Sequence, residues 1–123
     1  MARILIIDDD VQVRKLLQSL LVRAGYEVAV AADGKEGLEA YRQTPADLII
    51  TDLIMPEKEG IEMILELHQE FSGLKIIAIS GGARIAPENY LRMAETLGAC
   101  RTFSKPVDRN ALLTAVAELL AEP

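Results

Sequence analysis

The stretch Ile4-Leu5-Ile6-Ile7-Asp8-Asp9-Asp10 decides the fold. Four branched apolar residues in unbroken succession mark a strand covered on both faces, since a strand with one wet face would alternate with polar residues. Three acids follow at the point where such a strand ends. Val13, Leu16, Leu17, Leu20, Leu21 and Ala24 then recur at helical spacing and form one inward stripe. Asp10 stands where that helix needs an N-cap, and Gly25 where it needs a left-handed stop.

The same alternation continues to the end of the chain. Val28-Ala29-Val30 reads as a second strand, and Asp33 with Glu36 resembles a capping box opening a helix that carries Leu38 and Tyr41. Pro45 separates that helix from a third strand, Leu48-Ile49-Ile50. Gly60 introduces a helical stretch with Met63, Ile64, Leu67 and Phe71 inward, Gly73 punctuates it, and Ile76-Ile77-Ala78-Ile79 is the fourth strand. Pro87 falls near the start of a further helix, where its missing N–H costs little, with Tyr90, Met93, Ala94 and Leu97 inward and Gly98 at its end. A brief fifth strand is expected around Cys100 to Phe103, with Cys100 as a small buried residue. Asp108 caps a last helix with Leu112, Leu113, Val116, Leu119 and Leu120 inward. These five βα units, spanning 1–123 as one domain, predict an α/β fold: a five-stranded parallel sheet, doubly wound, with right-handed crossovers and helices on both faces.

Composition agrees and excludes several functions. With 123 residues, half of them apolar, the chain suits one globular domain. Thirteen Lys and Arg against nineteen Asp and Glu leave a net charge of −6, the wrong sign for autonomous nucleic-acid binding. A single cysteine forms neither an internal disulfide nor a CxxC clip. The apolar runs are too short to cross a bilayer, and Met1-Ala2-Arg3 opens no signal-peptide pattern, so a cytoplasmic location is expected.

In open α/β sheets ligands bind beyond the carboxyl ends of the strands. Strand one runs into Asp8-Asp9-Asp10, strand three into Thr51-Asp52, strand four into Ser80-Gly81-Gly82 and strand five into Ser104-Lys105-Pro106. The fold therefore gathers an acid pair, a single acid, a hydroxyl and a lysine on one rim. Two carboxylates ~5 Å apart repel by roughly 3 kcal/mol at an effective dielectric near 20, a cost best tolerated where a cation is meant to sit. Oxygen ligands without Cys or His favour a hard ion, and Mg2+ binds through one or two carboxylates, waters and a phosphate. Asp52 then reads as a carboxylate nucleophile toward phosphorus, with Lys105 and the Ser80 hydroxyl on the phosphoryl oxygens.

At these residues the sequence resembles the receiver domain of two-component response regulators. The resemblance rests on Ile4 to Asp10, on Asp47-Leu48-Ile49-Ile50-Thr51-Asp52-Leu53-Ile54-Met55-Pro56 with Gly60, on Ile79-Ser80-Gly81, and on Phe103-Ser104-Lys105-Pro106. It implies a flavodoxin-like (βα)5 fold and phosphorylation of Asp52 by a phosphohistidine on a sensor kinase or histidine phosphotransfer protein. It further implies Mg2+ held by Asp9, Asp52 and the main-chain carbonyl of Ile54, with Asp8 acting through water, and a downstream effector protein as the output. A cis peptide before Pro106 is also implied. Three places depart from the family pattern: Thr102 stands where many receivers carry an aromatic, Glu59 where Asp is common, and the stretch from Ser80 to Lys105 is longer than usual, with 82–87 as the extra loop.

Two other readings compete. Asp8 and Asp10 have the DxD spacing of haloacid-dehalogenase-type phosphatases, but Gln12 stands where that pattern needs Thr or Val, and the chain has no room for the usual cap. A pseudo-receiver working unphosphorylated would not need the full acid set and Lys105. His68 reads as a polar residue on a helix flank, Glu57-Lys58-Glu59 as a solvated loop, and Gly81-Gly82 lacks a following GxxxxGK[ST] for nucleotide.

Overall fold

The computed structural model describes residues 1–52, 60–80 and 98–122, with the backbone alone for residues 60, 61 and 80. Five strands, β1 (Arg3–Ile7), β2 (Glu27–Ala31), β3 (Leu48–Asp52), β4 (Ile76–Ser80) and β5 (Arg101–Ser104), form one sheet. Their order is β2-β1-β3-β4-β5 and every pairing is parallel. Four helices lie among the described residues: α1 (Val11–Arg23), α2 (Gly34–Gln43), α3 (Gly60–Glu70) and α4 (Arg109–Ala121). The helix expected after Pro87 and the loop at 82–87 lie outside the described residues.

Alternation along the strands explains the unbroken apolar runs. Leu5, Ile7, Ile49, Ile76 and Ala78 face α2 and α3, where Leu38, Tyr41, Met63, Ile64 and Leu67 complete one core. Ile4, Ile6, Leu48, Ile50, Ile77 and Ile79 face the other way, against Leu17, Leu21, Leu112, Val116 and Leu119 of α1 and α4. Each side chain fully withdrawn from water contributes about 1.5–3 kcal/mol, so neither layer is dispensable. Phe103 packs with the second core, and Thr102, its neighbour on β5, therefore points to the opposite side of the sheet.

The helix ends follow the sequence cues closely. Asp10 accepts from the backbone N–H groups of Gln12 and Val13, and Asp108 from that of Ala111. Asp33 accepts from the Glu36 N–H at 2.8 Å, while Glu36 returns to the Ala32 N–H at 3.4 Å rather than to that of Asp33, so the capping box is shifted by one residue. Gly25 has φ +98, as the left-handed stop requires. A feature that the sequence does not announce closes α4: Lys75, just before β4, donates to the carbonyls of Leu119 at 2.5 Å and Glu122 at 2.6 Å.

Gly37 marks the closest approach of α2 to the sheet. A Cβ there would lie 2.4 Å from Ile7 Cδ1 and 3.2 Å from Met63 Sδ, both on buried side chains. Overpacking of this kind costs about 1–3 kcal/mol, which exceeds the roughly 0.5–1 kcal/mol alanine gains in a helix. Gly37→Ala is accordingly expected to lower the urea midpoint; an unchanged or higher midpoint would contradict the packing described.

Candidate functional site

Sheet register brings the site together. Ile7 pairs with Thr51, so Asp8 and Asp52 emerge side by side from β1 and β3. This is where the strand order reverses, the usual ligand crevice of a doubly wound sheet. On the other flank, Ser80 pairs with Ser104, which places Lys105 one residue beyond. Thr51 is wholly buried and donates its hydroxyl to the Asp52 carbonyl at 2.9 Å, bracing the end of β3. The Lys105 amine donates to Asp52 Oδ2 at 2.8 Å and lies 3.3 Å from Asp8 Oδ2. The Lys105–Pro106 peptide is cis.

The two acids beside Lys105 are withdrawn from water, with 1% of Asp8 and 5% of Asp52 exposed, whereas Asp9 is open to solvent. One carboxylate oxygen from each of Asp8, Asp9 and Asp52 falls within 4.8 Å of the others. Asp8 Oδ1 accepts from the Asp10 N–H at 2.9 Å, while the buried Asp8 Oδ2 has no hydrogen-bond partner among the described residues. A hard divalent cation fits this set: three oxygen donors, no nitrogen or sulfur, and an under-satisfied buried carboxylate oxygen.

Burial raises the Asp8 carboxyl above the ordinary value of 3.8; the Asp10 backbone hydrogen bond opposes this, the Asp52 charge adds to it and Lys105 opposes it. The folded protein thus holds this proton more tightly than the unfolded chain does. Ionised Asp8 costs stability at pH values above its folded pKa, and the cost disappears as pH falls toward 3.8. Burial acts to lower the Lys105 pKa, but the hydrogen bond and charge of Asp52, with Asp8, outweigh it and leave the amine above 10.5. Mg2+ is expected to relieve the crowding. At a hundred times its dissociation constant it should add ~2.7 kcal/mol, roughly 10 °C in Tm at neutral pH, and less as the pH approaches 4. An unchanged Tm in millimolar Mg2+ at matched ionic strength would contradict the metal assignment.

Among the sequence-predicted residues, Asp8, Asp9, Asp52 and Lys105 converge. The backbone of Ser80 ends β4 beside them, while its hydroxyl and the Ile54 carbonyl lie outside the described residues. Asp10 is spent as a helix cap. One residue of the site escaped the sequence reading: Arg14 donates to the Asp8 carbonyl at 2.8 Å. The available signal was its place in the second turn of a helix capped by Asp10, since helical side chains lean toward the N-terminus.

The chain matches the description "Response regulator receiver domain" over residues 4–117. The chain belongs to the response regulator receiver domain family. It is 34% identical to the chemotaxis protein CheY of Treponema pallidum (strain Nichols), over 96% of this chain and 82% of that protein. It is 31% identical to the response regulator receiver protein CpdR of Brucella abortus (strain 2308), over 98% of each. The transcriptional regulatory protein GlrR of Escherichia coli (strain K12) is 33% identical over 98% of this chain, which spans only 27% of its length. A CheY-like receiver domain structure from Methanospirillum hungatei JF-1 superposes with a TM-score of 0.89 at 32% identity, covering 98% and 94% of the two chains. The fold and family expected from the sequence are thus shown, and the family is a regulatory one, the receiver of two-component signalling.

Three smaller expectations about the receiver need correction. Cys100 is exposed, because β5 begins at Arg101 and leaves the cysteine in the preceding bend. Leu16 is 45% exposed rather than inward: it lines an open groove of about 510 Å3 with Val13, Leu20, Lys105, Pro106 and Val107. Ala24, expected on the inward stripe of α1, is exposed at the helix C-cap. His68 is half-buried on its helix flank, its ring so close to Gly98 that a Cβ there would stand 2.6 Å from Nε2. Among the described residues no helix is long and apolar enough to cross a membrane.

Proposed function

We propose that this receiver is a phosphorylation-controlled binding module in which Asp52 accepts a phosphoryl group from a phosphohistidine of a sensor kinase or histidine phosphotransfer protein in the cytoplasm. The observation that carries the reading is the pairing of a buried Asp52 with Lys105 at 2.8 Å inside a three-carboxylate cluster. An ionised Asp52 oxygen attacks phosphorus, and the new O–P bond forms as the P–N bond to the imidazole breaks and the imidazole departs. Lys105, freed from part of its contact with Asp52, neutralises a phosphoryl oxygen, and the Ser80 hydroxyl donates to another. Asp9, Asp52 and the Ile54 carbonyl would hold Mg2+, with Asp8 acting through water. When bound, the ion supplies charge neutralisation for the phosphoryl oxygens. Engagement of Ser80 then shifts the 81–106 face between two arrangements that an effector protein distinguishes.

Incubation with acetyl phosphate and Mg2+ followed by intact-mass measurement tests this reading. One phosphoryl group gained, and none in EDTA, is the expected result. A folded protein with no gain would make it a pseudo-receiver. The haloacid-dehalogenase alternative loses support from Asp10, whose Oδ1 accepts from two backbone N–H groups as the N-cap of α1.

The apolar groove beside Lys105 is the face we assign to the donor. It runs between α1 and the start of α4, and Arg109 and Arg23 extend a basic rim along it although the chain as a whole is acidic. An amphipathic helix with acidic flanks and its phosphohistidine near Asp52 fits that chemistry. Leu16→Asp is expected to leave acetyl phosphate uptake unchanged while slowing transfer from a competent phosphorylated histidine phosphotransfer protein about ten-fold or more, ~1.4 kcal/mol. Equal transfer rates would remove the groove from the donor face.

A further inference from the structure

Asp8 is held at every polar atom but one. Its N–H donates to the Ala31 carbonyl at 3.2 Å, Oδ1 accepts from the Asp10 N–H at 2.9 Å, and its carbonyl accepts from Arg14 at 2.8 Å. Among the described residues only Oδ2 is left without a hydrogen bond, at 3.3 Å from the Lys105 amine. The carbonyl gripped by Arg14 belongs to the peptide plane joining Asp8 to Asp9, so its orientation governs ψ of the first acid and φ of the second. Those two torsions set how far apart the two carboxylates stand. A carbonyl just past the end of a strand, lacking this guanidinium, would be free to turn toward water.

We infer that Arg14 is a positioning residue for the acid pair: its grip on the Asp8 carbonyl fixes the Asp8–Asp9 peptide and so presets the carboxylate spacing for a divalent cation. The inference rests on the metal-dependent reading above. Arginine suits the task because its planar guanidinium reaches back over the first turn of α1 while its stem stays half-buried, and it remains charged at every working pH. Groups of this kind, which hold metal-binding residues without touching the metal, typically alter affinity 10–100-fold when removed.

Calorimetric Mg2+ titration of the wild type, Arg14→Leu, Arg14→Gln and Arg14→Lys, with acetyl phosphate uptake followed against Mg2+ concentration, tests it. Arg14→Leu and Arg14→Gln, neither of which reaches the carbonyl with a cation, should raise the Mg2+ Kd about ten-fold, with uptake recovering to near the wild-type maximum at saturating Mg2+. Arg14→Lys should recover at least half of the lost affinity. A merely structural arginine would lower Tm and leave the Mg2+ Kd of the folded protein unchanged, and that result overturns the inference. Should Arg14→Leu not fold, Arg14→Gln decides in the same way. Wild type that takes up neither Mg2+ nor phosphoryl would instead reject the metal-dependent reading itself.

Discussion

Asp52→Asn is expected to gain no phosphoryl group under conditions that phosphorylate the wild type fully. The substitution is nearly isosteric and keeps an oxygen that can accept from Lys105, so the fold should survive. An amide oxygen, however, is not a competent nucleophile toward phosphorus at neutral pH. The loss should therefore be all or none rather than graded. The Mg2+-induced rise in Tm should shrink as well, because one of the three clustered carboxylates is gone. Intact-mass measurement beside a melting curve with and without Mg2+ checks both. Wild-type uptake by Asp52→Asn would move the acceptor to Asp8 or Asp9.

Lys105→Met should produce three effects, two of them losses and the third a gain. The Lys105 side chain is 22% exposed and its amine contacts the buried carboxylates of both Asp8 and Asp52, so its removal takes a neighbouring positive charge from two buried acids. Breaking a fully buried pair costs about 3–5 kcal/mol; partial solvation of the amine reduces this to roughly 2–3 kcal/mol in Mg2+-free buffer. Phosphoryl uptake at saturating Mg2+ should fall about 10²–10³-fold, the typical loss on deleting a charge-stabilising donor. Mg2+ itself should bind more tightly, because the Lys105 amine is ion-paired with Asp52 and Asp8, two of the three carboxylates clustered where the cation would sit. Weaker Mg2+ binding in Lys105→Met would contradict the competition between amine and metal.

Much of the molecule could be read before any coordinates. The apolar runs of β1, β3 and β4 are legible because both faces are covered, so almost every residue is buried. Asp10 and Asp108 are legible because a helix N-terminus selects few residue types. The acids and Lys105 could be placed together because a parallel sheet sends all its strand ends to one rim. Arg14 left only the weak signal of its place on the helix, since a hydrogen bond to a main-chain carbonyl leaves no partner residue in the sequence to pair it with. Lys75 escaped for the same reason, its partners being the last carbonyls of a helix 44 and 47 residues away. Leu16 and Cys100 were misplaced for other reasons. Periodicity shows which way a side chain points but not whether a neighbouring element covers it. At Cys100 the edge strand begins one residue later than its apolar pattern implies.

The site exists only if segments far apart in the chain act as one, with the carboxylate of β3 as the reacting group. Borohydride reduction of the acetyl phosphate-treated protein, followed by peptide mapping, reads out the acyl phosphate as homoserine at the position that carried it. Homoserine at position 52 alone, dependent on Mg2+, is the predicted result; homoserine at position 8 or 9, or none in a protein that has gained a phosphoryl group, would contradict it.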